Sequence, residues 1–306
     1  MVEYHREDME QAVIAIILGL FGLLFGSFAG ATVWRLRARQ LAEDKAQGEH
    51  VEEKEFLQLK PLNEGTYTSK DRSRCLHCGH QLAWYDLLPL VSWVSLRGKC
   101  RYCHKSIGWF EPLMEVAMAG FFVVSYLVWP EALQGWEVLR FALWLLIGVG
   151  LLILFAYDQK WFLLPDVVTF PLIGLASGMA LIQVAQAPNH LTAVWSVAGA
   201  VAILSGLYLL LWWVSRGRWV GFGDVKLGLV LALVLGDWVL AFVALFAANL
   251  IGCLVIIPGL VSKRLERTSR VPFGPFLILG MVVAFFVGQP VIDWYTTLSF
   301  MPFMMP

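Results

Sequence analysis

The chain has 306 residues, of which 58% are hydrophobic and 15% are charged, and its formal net charge is zero. Soluble domains contain roughly 45–50% apolar and about 25% charged residues, so this composition excludes an ordinary soluble protein. It predicts an integral membrane protein. Residues 1–11 are polar and mixed in sign, and no small-residue cleavage site closes the first apolar run. We therefore expect that run to remain as a membrane span.

Continuous apolar runs of about 20 residues predict transmembrane helices. Eight runs meet this description, and the fourth contains Pro171 and Gly174, which predict a break in the helix. The sixth and seventh runs are separated only by a hairpin near Gly236 and Asp237. The predicted fold class is an all-α polytopic membrane protein with about eight transmembrane helices. The predicted spans are residues 12–34, 113–130, 138–157, 167–186, 192–214, 225–239, 240–260 and 275–294.

Basic residues are concentrated in the loops on one side of these spans. Those loops hold 21 of the 23 Lys and Arg residues, and they are residues 35–112, 158–166, 215–226 and 261–274. The positive-inside rule places this side in the cytoplasm. An even number of spans then leaves both termini outside, in the periplasm of a Gram-negative cell. We expect three parts: an N-terminal segment with the first helix (1–34), a cytoplasmic loop domain (35–112) and a transmembrane domain (113–306).

Two Cys-x-x-Cys pairs lie in the second half of the cytoplasmic loop. Cys75 and Cys78 form the first pair, and Cys100 and Cys103 form the second. This spacing is typical of a zinc ribbon, in which four thiolates fill a tetrahedral site. Two disulfides are the alternative, but the reducing cytoplasm argues against them. Because four cysteines leave no open position for water, the predicted zinc ion is structural.

Two aspartates lie in short polar breaks at the ends of predicted spans. Asp158 ends the third span, and Asp224 begins the sixth behind Gly221 and Gly223. An acid at the edge of the hydrocarbon is costly, because lipid cannot replace the hydration of its charged form. Two carboxylates that share one proton can act as acid and base together. The pair therefore predicts a membrane-embedded aspartic protease, whose domain is residues 113–306, with helix capping as the structural alternative.

The neighbours of these aspartates suggest supporting roles. Gly221 and Gly223 let the backbone turn sharply, and they let an extended substrate lie against bare backbone. Asp166 follows a helix-breaking proline and opens the fourth span, so we expect it to orient the site rather than perform chemistry. Lys226 is expected either to pair with an acid or to extend to the membrane interface.

Six segments of the chain form a pattern when taken together. They are GSF (26–28), SRCLHCGHQLAWYDLLPLVSW (73–93), LRGKCRYCHKSIGWFEPLMEV (96–116), DQKWFLLPD (158–166), GFGDVKLG (221–228) and PFGPFLILG (272–280). These segments resemble the bacterial type IV prepilin peptidases, also called leader peptidases/N-methyltransferases, whose order they follow over nearly the whole chain. The GxGD motif is shared with presenilin-type proteases. After GSF the chain reads AGATVWRLR, without the Asn and Pro that the family commonly has there.

The resemblance implies cleavage of the basic leader from type IV prepilins or type II secretion pseudopilins, with Asp158 and Asp224 as the catalytic pair. It also implies methylation of the new N-terminus, with S-adenosylmethionine as methyl donor. No G-x-G-x-x-G follows a predicted strand, so methyl transfer depends on the resemblance alone. We expect the donor on the cytoplasmic loop, near Glu111, Lys99 and Arg101.

The expected partners are therefore prepilins or pseudopilins and the lipid bilayer, with no nucleic acid. The expected location is the cell inner membrane, with the active site facing the cytoplasm. The alternative function is a proton-coupled membrane transporter that uses intramembrane acids as relays. That alternative explains the aspartates, but it explains neither the GxGD glycines nor the cysteine loop.

Overall fold

The computed structural model describes residues 2–62, 73–263 and 271–300. These residues form eleven α-helices and no β-strand, which confirms the predicted all-α fold class. They pack as two units, Met1–Leu127 and Val128–Pro306. The three-part division predicted above stays a prediction. Residues 63–72 of the cytoplasmic loop lie outside the described ranges. So do several basic residues counted in the topology, namely Lys70, Arg72, Arg264, Arg267 and Arg270.

Two long helices form the frame of the N-terminal unit, α1 (Val2–Ala46) and α4 (Phe110–Leu127). They pack against each other so closely that a Cβ atom on Gly22 or Gly26 would stand 2.6 Å from the α4 backbone. Small residues four positions apart allow this approach between membrane helices. Gly26 is the glycine of the GSF segment. This glycine therefore has a packing role, because it lets α1 and α4 approach each other.

The described parts of the loop between these helices are partly helical. It contains α2 (Glu53–Leu59), a 3₁₀ turn (Lys60–Leu62), a second 3₁₀ turn (Trp84–Leu87) and α3 (Val91–Ser95). Helix α1 continues twelve residues beyond the predicted end of its span at residue 34. Its extension buries Ala38 and Leu41 against Leu59 and Leu62, which forms a small apolar core outside the span.

The C-terminal unit contains the remaining seven helices. Helices α7 and α8 continue one another through a π-helical turn, Ala202–Gly206, so together they make one rod. The helices are α5 (Trp136–Trp161), α6 (Asp166–Gln186), α7 (His190–Val201), α8 (Leu207–Ser215), α9 (Phe222–Leu235), α10 (Trp238–Val261) and α11 (Gly274–Phe300).

Helix α9 differs from the predicted sixth span. Within the described ranges, seven helical segments are long and apolar enough to cross a membrane, and α9 is not among them. Its 14 residues rise about 21 Å at 1.5 Å per residue, less than the ~30 Å hydrocarbon core. Eight of these residues are buried in the unit. Protein rather than lipid therefore surrounds α9, so its short length exposes no backbone to hydrocarbon.

The ends of α9 show how it runs through the unit. At its first turn Lys226 pairs with Asp166 at the start of α6, and after its last turn Gly236 lies against Gln183 near the end of α6. The two helices are therefore parallel neighbours. Gly236 adopts the left-handed conformation (φ 63°), and Asp237 caps α10, so the predicted hairpin between the sixth and seventh runs is present.

The predicted break in the fourth run is wrong. Helix α6 is continuous from Asp166 to Gln186 with Pro171 inside it. Proline removes one backbone donor, and membrane helices tolerate this where side chains and neighbouring helices satisfy the remaining groups. In the preceding turn the Thr169 hydroxyl donates to the Pro165 carbonyl at 3.1 Å.

Candidate active site

Asp158 lies in the last turn of α5, where the chain leaves the helix. Its side chain is buried, with the residue 5% exposed. Phe162 ends the helix in the left-handed conformation (φ 57°), and its N–H donates to the Asp158 carbonyl at 2.9 Å. Pro165, in extended conformation, then leads into α6. The short polar break seen in the sequence is therefore a tight reversal that leaves Asp158 at the helix end.

Asp224 lies in the first turn of α9, at the same end of the unit. Gly221 is the extended N-cap of this helix, and its carbonyl accepts the Asp224 N–H at 3.2 Å. The Asp158 and Asp224 carboxylates lie close enough for their charges to repel each other. The structure thus brings together the two residues that the sequence predicted as a catalytic pair.

The two glycines of the GxGD motif do different things. A Cβ atom on Gly223 would lie 3.1 Å from the Leu164 side chain, so Gly223 permits close packing of α9 against the reversal after α5. A Cβ atom on Gly221 would meet nothing nearer than the Asp224 carboxylate at 3.8 Å. Gly221 is exposed, so bare backbone is open beside the carboxylate. That is the arrangement expected if an extended substrate pairs with this segment.

A backbone amide that the sequence analysis did not assign completes the surroundings of Asp158. The N–H of Gly274, the first residue of α11, donates to Asp158 Oδ2 at 3.1 Å in a buried position. A Cβ atom on Gly274 would stand 2.7 Å from the same oxygen. The sequence analysis placed the loop that ends at Gly274 on the same side of the membrane as Asp158, but nothing in the PFGPF segment (272–276) indicated this contact.

Tyr208 is a second residue that sequence reasoning missed. It lies one residue into α8, just after the π-helical turn, and is 4% exposed. It is close enough to Asp224 to interact with its charge, and its ring centroid lies 5.7 Å from that of Phe273. In the sequence it stands inside the apolar run LYLLLWWV, where nothing distinguishes it from a packing residue.

We expect Tyr208→Phe to slow peptide cleavage about tenfold, the scale on which supporting hydrogen-bonding groups act, while the protein remains folded. The substitution removes only the hydroxyl, so the ring packing on Phe273 stays. The measurement is the turnover of a peptide or protein substrate at saturating concentration. Tyr295→Phe is the matched control, because Tyr295 is 65% exposed near the other end of α11. Equal turnover in both variants would show that the Tyr208 hydroxyl has no role in cleavage.

The Asp166 carboxylate forms an ion pair with the Lys226 ammonium. The pair joins the first turn of α6 to the first turn of α9, two residues after Asp224. Asp166 is about half exposed, and such a pair contributes only about 0–1 kcal/mol to stability. Asp166 is therefore placed where it could hold the start of α9, and among the described residues its side chain is paired with Lys226 and not with Asp158 or Asp224.

We expect Asp166→Asn to reduce cleavage about 10–100-fold, less than loss of a catalytic acid would. Because one ion pair is involved, Lys226→Gln should give a similar loss, and the double variant should be no worse than either single one. The turnover of the two single variants and the double variant, each compared with the wild type, forms a double-mutant cycle that tests this expectation. Additive losses would mean that the two side chains act separately.

The four predicted metal ligands converge in the N-terminal unit. Each Cys-x-x-Cys pair sits in a knuckle closed by an isolated antiparallel bridge, Arg74 with Gln81 and Lys99 with Ser106. In the first knuckle the Cys75 N–H donates to the His80 carbonyl at 3.0 Å, and in the second the Cys100 N–H donates to the Lys105 carbonyl at 2.9 Å. The two knuckles therefore have the same backbone hydrogen bonding.

The sulfur atoms are placed as a metal would require. All four Sγ atoms lie within 4.8 Å of one another, and those of Cys75 and Cys103 are 3.9 Å apart. A tetrahedral site with metal–sulfur bonds of about 2.3 Å would place its sulfurs about 3.8 Å apart. The described cysteines are free thiols, not disulfides. The cluster can therefore hold a metal ion.

The residues predicted near the methyl donor do not all come together. Glu111 and Arg101 line a common cavity of the N-terminal unit, but Lys99 does not. The Arg101 guanidinium donates to Asp86 at 2.8 Å, and Tyr102 also donates to Asp86 at 3.1 Å. Burial raises the pKa of the Asp86 carboxyl, but the hydrogen bonds from Arg101, the Ala83 amide and Tyr102 outweigh it and hold the pKa below its usual value. Arg101 thus ties the second knuckle to the turn at residues 84–87.

Two family models match the chain. The bacterial peptidase A24 N-terminal domain matches residues 20–129, and the type IV leader peptidase family matches residues 144–257. The first match covers the cysteine knuckles, and the second covers Asp158 and Asp224. No solved structure is significantly similar to the chain.

Curated relatives match over almost the full length. A type 4 prepilin-like proteins leader peptide-processing enzyme of Escherichia coli is 32% identical, with 90% of this chain and 95% of the relative aligned. The prepilin leader peptidase/N-methyltransferases of Pseudomonas aeruginosa and Stutzerimonas stutzeri are 31% and 29% identical, and each alignment covers 90% of this chain and 91% of the relative. Nothing in these comparisons supports the transporter alternative. The chain is a multi-pass membrane protein and an enzyme that belongs to the type IV leader peptidase family.

Proposed function

We propose that the protein removes the short basic leader from type IV prepilins or type II secretion pseudopilins and then methylates the new N-terminus. The observation that carries the peptidase proposal is the meeting of Asp158, Asp224 and the Gly274 amide at the ends of α5, α9 and α11. The printed names of the relatives, which are leader-processing enzymes and N-methyltransferases, support both activities.

In the proposed cleavage, one aspartate of the pair is ionised and the other is neutral. The ionised carboxylate takes a proton from a water molecule, whose oxygen attacks the scissile carbonyl carbon. The neutral partner donates a hydrogen bond to the carbonyl oxygen, and the leaving amine receives a proton as the carbon–nitrogen bond breaks. The Gly274 N–H holds Asp158 Oδ2 throughout, and the exposed Gly221 backbone aligns the extended substrate.

The distribution of charge supports an active site at the cytoplasmic membrane face. Under the positive-inside rule, 21 of the 23 Lys and Arg residues lie on the same side as Asp158 and Asp224. A basic leader followed by an apolar helix would place its junction at this depth. We therefore propose the cell inner membrane as the location, with both termini periplasmic.

We propose that Cys75, Cys78, Cys100 and Cys103 bind one structural zinc ion per chain. Four thiolates in tetrahedral arrangement suit zinc and leave no position for a reactive water. The zinc would hold the two knuckles together, and it would take no part in the cleavage reaction.

Metal analysis of the purified protein should find one zinc per chain, and Cys100→Ser should lose it because a buried ligand is removed. That variant should also lose part of both activities through a loosened loop. Cys253→Ser is the control, since Cys253 is an exposed residue of α10 and should keep full zinc content. Wild-type protein without stoichiometric zinc would contradict the assignment.

We propose S-adenosylmethionine as the methyl donor, bound in the N-terminal unit. Glu111 and Arg101 face one cavity there, which supports two of the three residues named from the sequence. Lys99 lies at the bridge of the second knuckle, outside that cavity.

The test reconstitutes the purified protein in lipid vesicles with a tagged prepilin and S-adenosylmethionine. Mass spectrometry should show loss of the leader and, on the mature product, the gain of one methyl group. A pre-cleaved pilin should be methylated even by the Asp158→Asn/Asp224→Asn double variant. Absence of leader cleavage by the wild type would refute the peptidase proposal. Absence of methylation on pre-cleaved pilin by the wild type would refute the second activity.

A further inference from the structure

One stretch of the cysteine loop, residues 84–94, exposes large apolar side chains. Trp84, Val91 and Val94 are 63–75% exposed. Val91 and Val94 lie three positions apart on the short helix α3, so they share one face of it, whereas Ser92 between them lines the cavity of the N-terminal unit. A contiguous exposed apolar face of this kind marks an interaction surface. We call residues 84–94 the apolar segment.

Two hydrogen bonds place the apolar segment beside the start of α4. The Leu90 N–H donates to the Glu115 carboxylate at 2.8 Å. The Trp93 indole N–H donates to the Gly108 carbonyl at 2.9 Å. Helix α4 has 18 residues and rises about 27 Å, so it needs nearly its whole length to cross the ~30 Å hydrocarbon core. The apolar segment therefore runs beside the first two turns of α4, at the boundary between headgroups and hydrocarbon.

Lipid-facing residues of α4 lie at the same depth as the apolar segment. Leu113 and Val116, on the first two turns of α4, are exposed, as the lipid-facing residues of a span are. Trp109 directly precedes α4, is also exposed, and packs on Trp93 with 4.5 Å between ring centroids. Tryptophan is enriched at this level of a bilayer, because its ring is apolar and its N–H is polar. The depth of the apolar segment is thus one at which α4 already meets lipid.

The backbone of the apolar segment is paired as a lipid environment demands. In α3 the Ser92 and Val94 N–H groups donate to the carbonyls of Leu88 and Leu90 at 3.1 and 2.8 Å. The Leu90 N–H precedes α3, and the buried Glu115 carboxylate accepts it. An unpaired backbone donor is costly away from water. Glu115 therefore lets the chain enter α3 at membrane depth.

Basic residues flank the apolar segment. Residues 73–109 contain five Lys or Arg residues and one acid, Asp86. Arg101 is paired with Asp86, but Arg97 and Lys105 are exposed and form no ion pair with another described residue. Lys and Arg side chains next to an apolar face attract the anionic headgroups of phospholipids. The charge around the segment is therefore complementary to a membrane surface.

We propose that the apolar segment inserts into the bilayer leaflet that meets the start of α4. Trp84, Val91 and Val94 lie among the upper acyl chains, and Arg97 and Lys105 lie at anionic phospholipid headgroups. The cysteine knuckles are then held against the membrane surface and do not project from it. The inference depends on neither proposed activity, because it concerns lipid contact alone.

A helix of another protein, such as a prepilin, is a different occupant for an apolar face. Two features favour lipid. The apolar segment lies at the depth where Leu113 and Val116 of α4 already face lipid. The excess of basic residues over acids around the segment would also repel a basic leader.

The test uses the full-length protein in vesicles of phosphatidylglycerol and phosphatidylcholine, with a trace of phospholipid that carries a diazirine in its upper acyl chain. After irradiation, mass spectrometry should find lipid adducts on residues 84–94. Helix α2 is the matched control, because Leu57 is an exposed apolar residue of the same loop, but α2 packs on the part of α1 that extends beyond its predicted span. It should carry no adducts, and adducts on α4 confirm that the reagent is active.

Val91→Asp/Val94→Asp should reduce the adducts on the apolar segment about tenfold or more, because two valine side chains no longer favour the acyl chains. Leu57→Asp should leave these adducts unchanged. Gel filtration and zinc content check folding, and the wild-type map carries the test alone if the double variant does not fold. A diazirine on phosphatidylglycerol should label the segment about fivefold more than one on phosphatidylcholine, and Arg97→Gln/Lys105→Gln should remove this preference.

Three results would overturn the inference. The first is a wild type whose α4 carries adducts while residues 84–94 carry as few as α2. The second is a folded Val91→Asp/Val94→Asp variant labelled as strongly as the wild type. The third is chemical crosslinking of residues 84–94 to an added prepilin without lipid adducts, which would identify a protein-binding face. Equal labelling of the wild type by both lipids would refute the assignment of Arg97 and Lys105 to the headgroups.

Discussion

Asp158→Asn and Asp224→Asn should each reduce leader cleavage by about 10³-fold or more, because an amide of the same shape can neither take a proton from water nor give one to the leaving amine. Both variants should insert and fold, since the size of the side chain is unchanged. The measurement is single-turnover cleavage of a tagged prepilin in vesicles. The two losses should not add in the double variant, because the pair acts as one unit.

The matched control is Asp293→Asn. Asp293 is an acid of the same unit, but it lies toward the C-terminal end of α11, whereas Gly274 at the other end contacts Asp158. It should retain wild-type cleavage. Substantial activity in either single variant of the pair would refute the assignment of that aspartate.

Gly274→Ala should reduce cleavage about 100-fold, although alanine is chemically inert and both aspartates remain. The added Cβ atom would stand 2.7 Å from Asp158 Oδ2, closer than real Cβ contacts allow, so the carboxylate or the start of α11 must move. Either movement lengthens the 3.1 Å hydrogen bond from the Gly274 N–H. A displacement of about 1 Å in a catalytic group is enough for a loss of this size.

Gly174→Ala is the control for this substitution. Gly174 lies in the interior of α6 with open space around its Cα, so alanine meets no atom within 4 Å and is the better helix former. It should keep full activity. Turnover of Gly274→Ala equal to that of Gly174→Ala would show that the amide does not position Asp158. Zinc content equal to the wild type in both variants would confirm that the N-terminal unit is undisturbed.

Some properties of this protein are determined by short stretches of sequence. Membrane residence follows from apolar runs, because a span must be apolar at nearly every position along about 20 residues. The cysteine cluster follows from two Cys-x-x-Cys pairs, since each knuckle places its two sulfurs locally. The pairing of Asp158 with Asp224 also follows, because two acids at the edges of separate spans are costly unless they share one site.

Other properties were decided only by tertiary structure. The Gly274 N–H reaches Asp158 across 116 positions of sequence, and every residue except proline carries such a donor, so no residue type marks it. Tyr208 looks like a packing residue in an apolar run, and only the fold places it beside Asp224.

Long-range packing also decided two further features, the cavity of the N-terminal unit and the short length of helix α9. The cavity is formed by α1, the loop and α4, and a local pattern cannot show which faces of distant segments enclose one volume. Helix α9 can be short because its neighbours replace lipid around it, and apolar residues look alike in the sequence whether lipid or protein surrounds them. Local patterns thus determined where the chain meets the membrane, and long-range packing decided which groups surround the two aspartates.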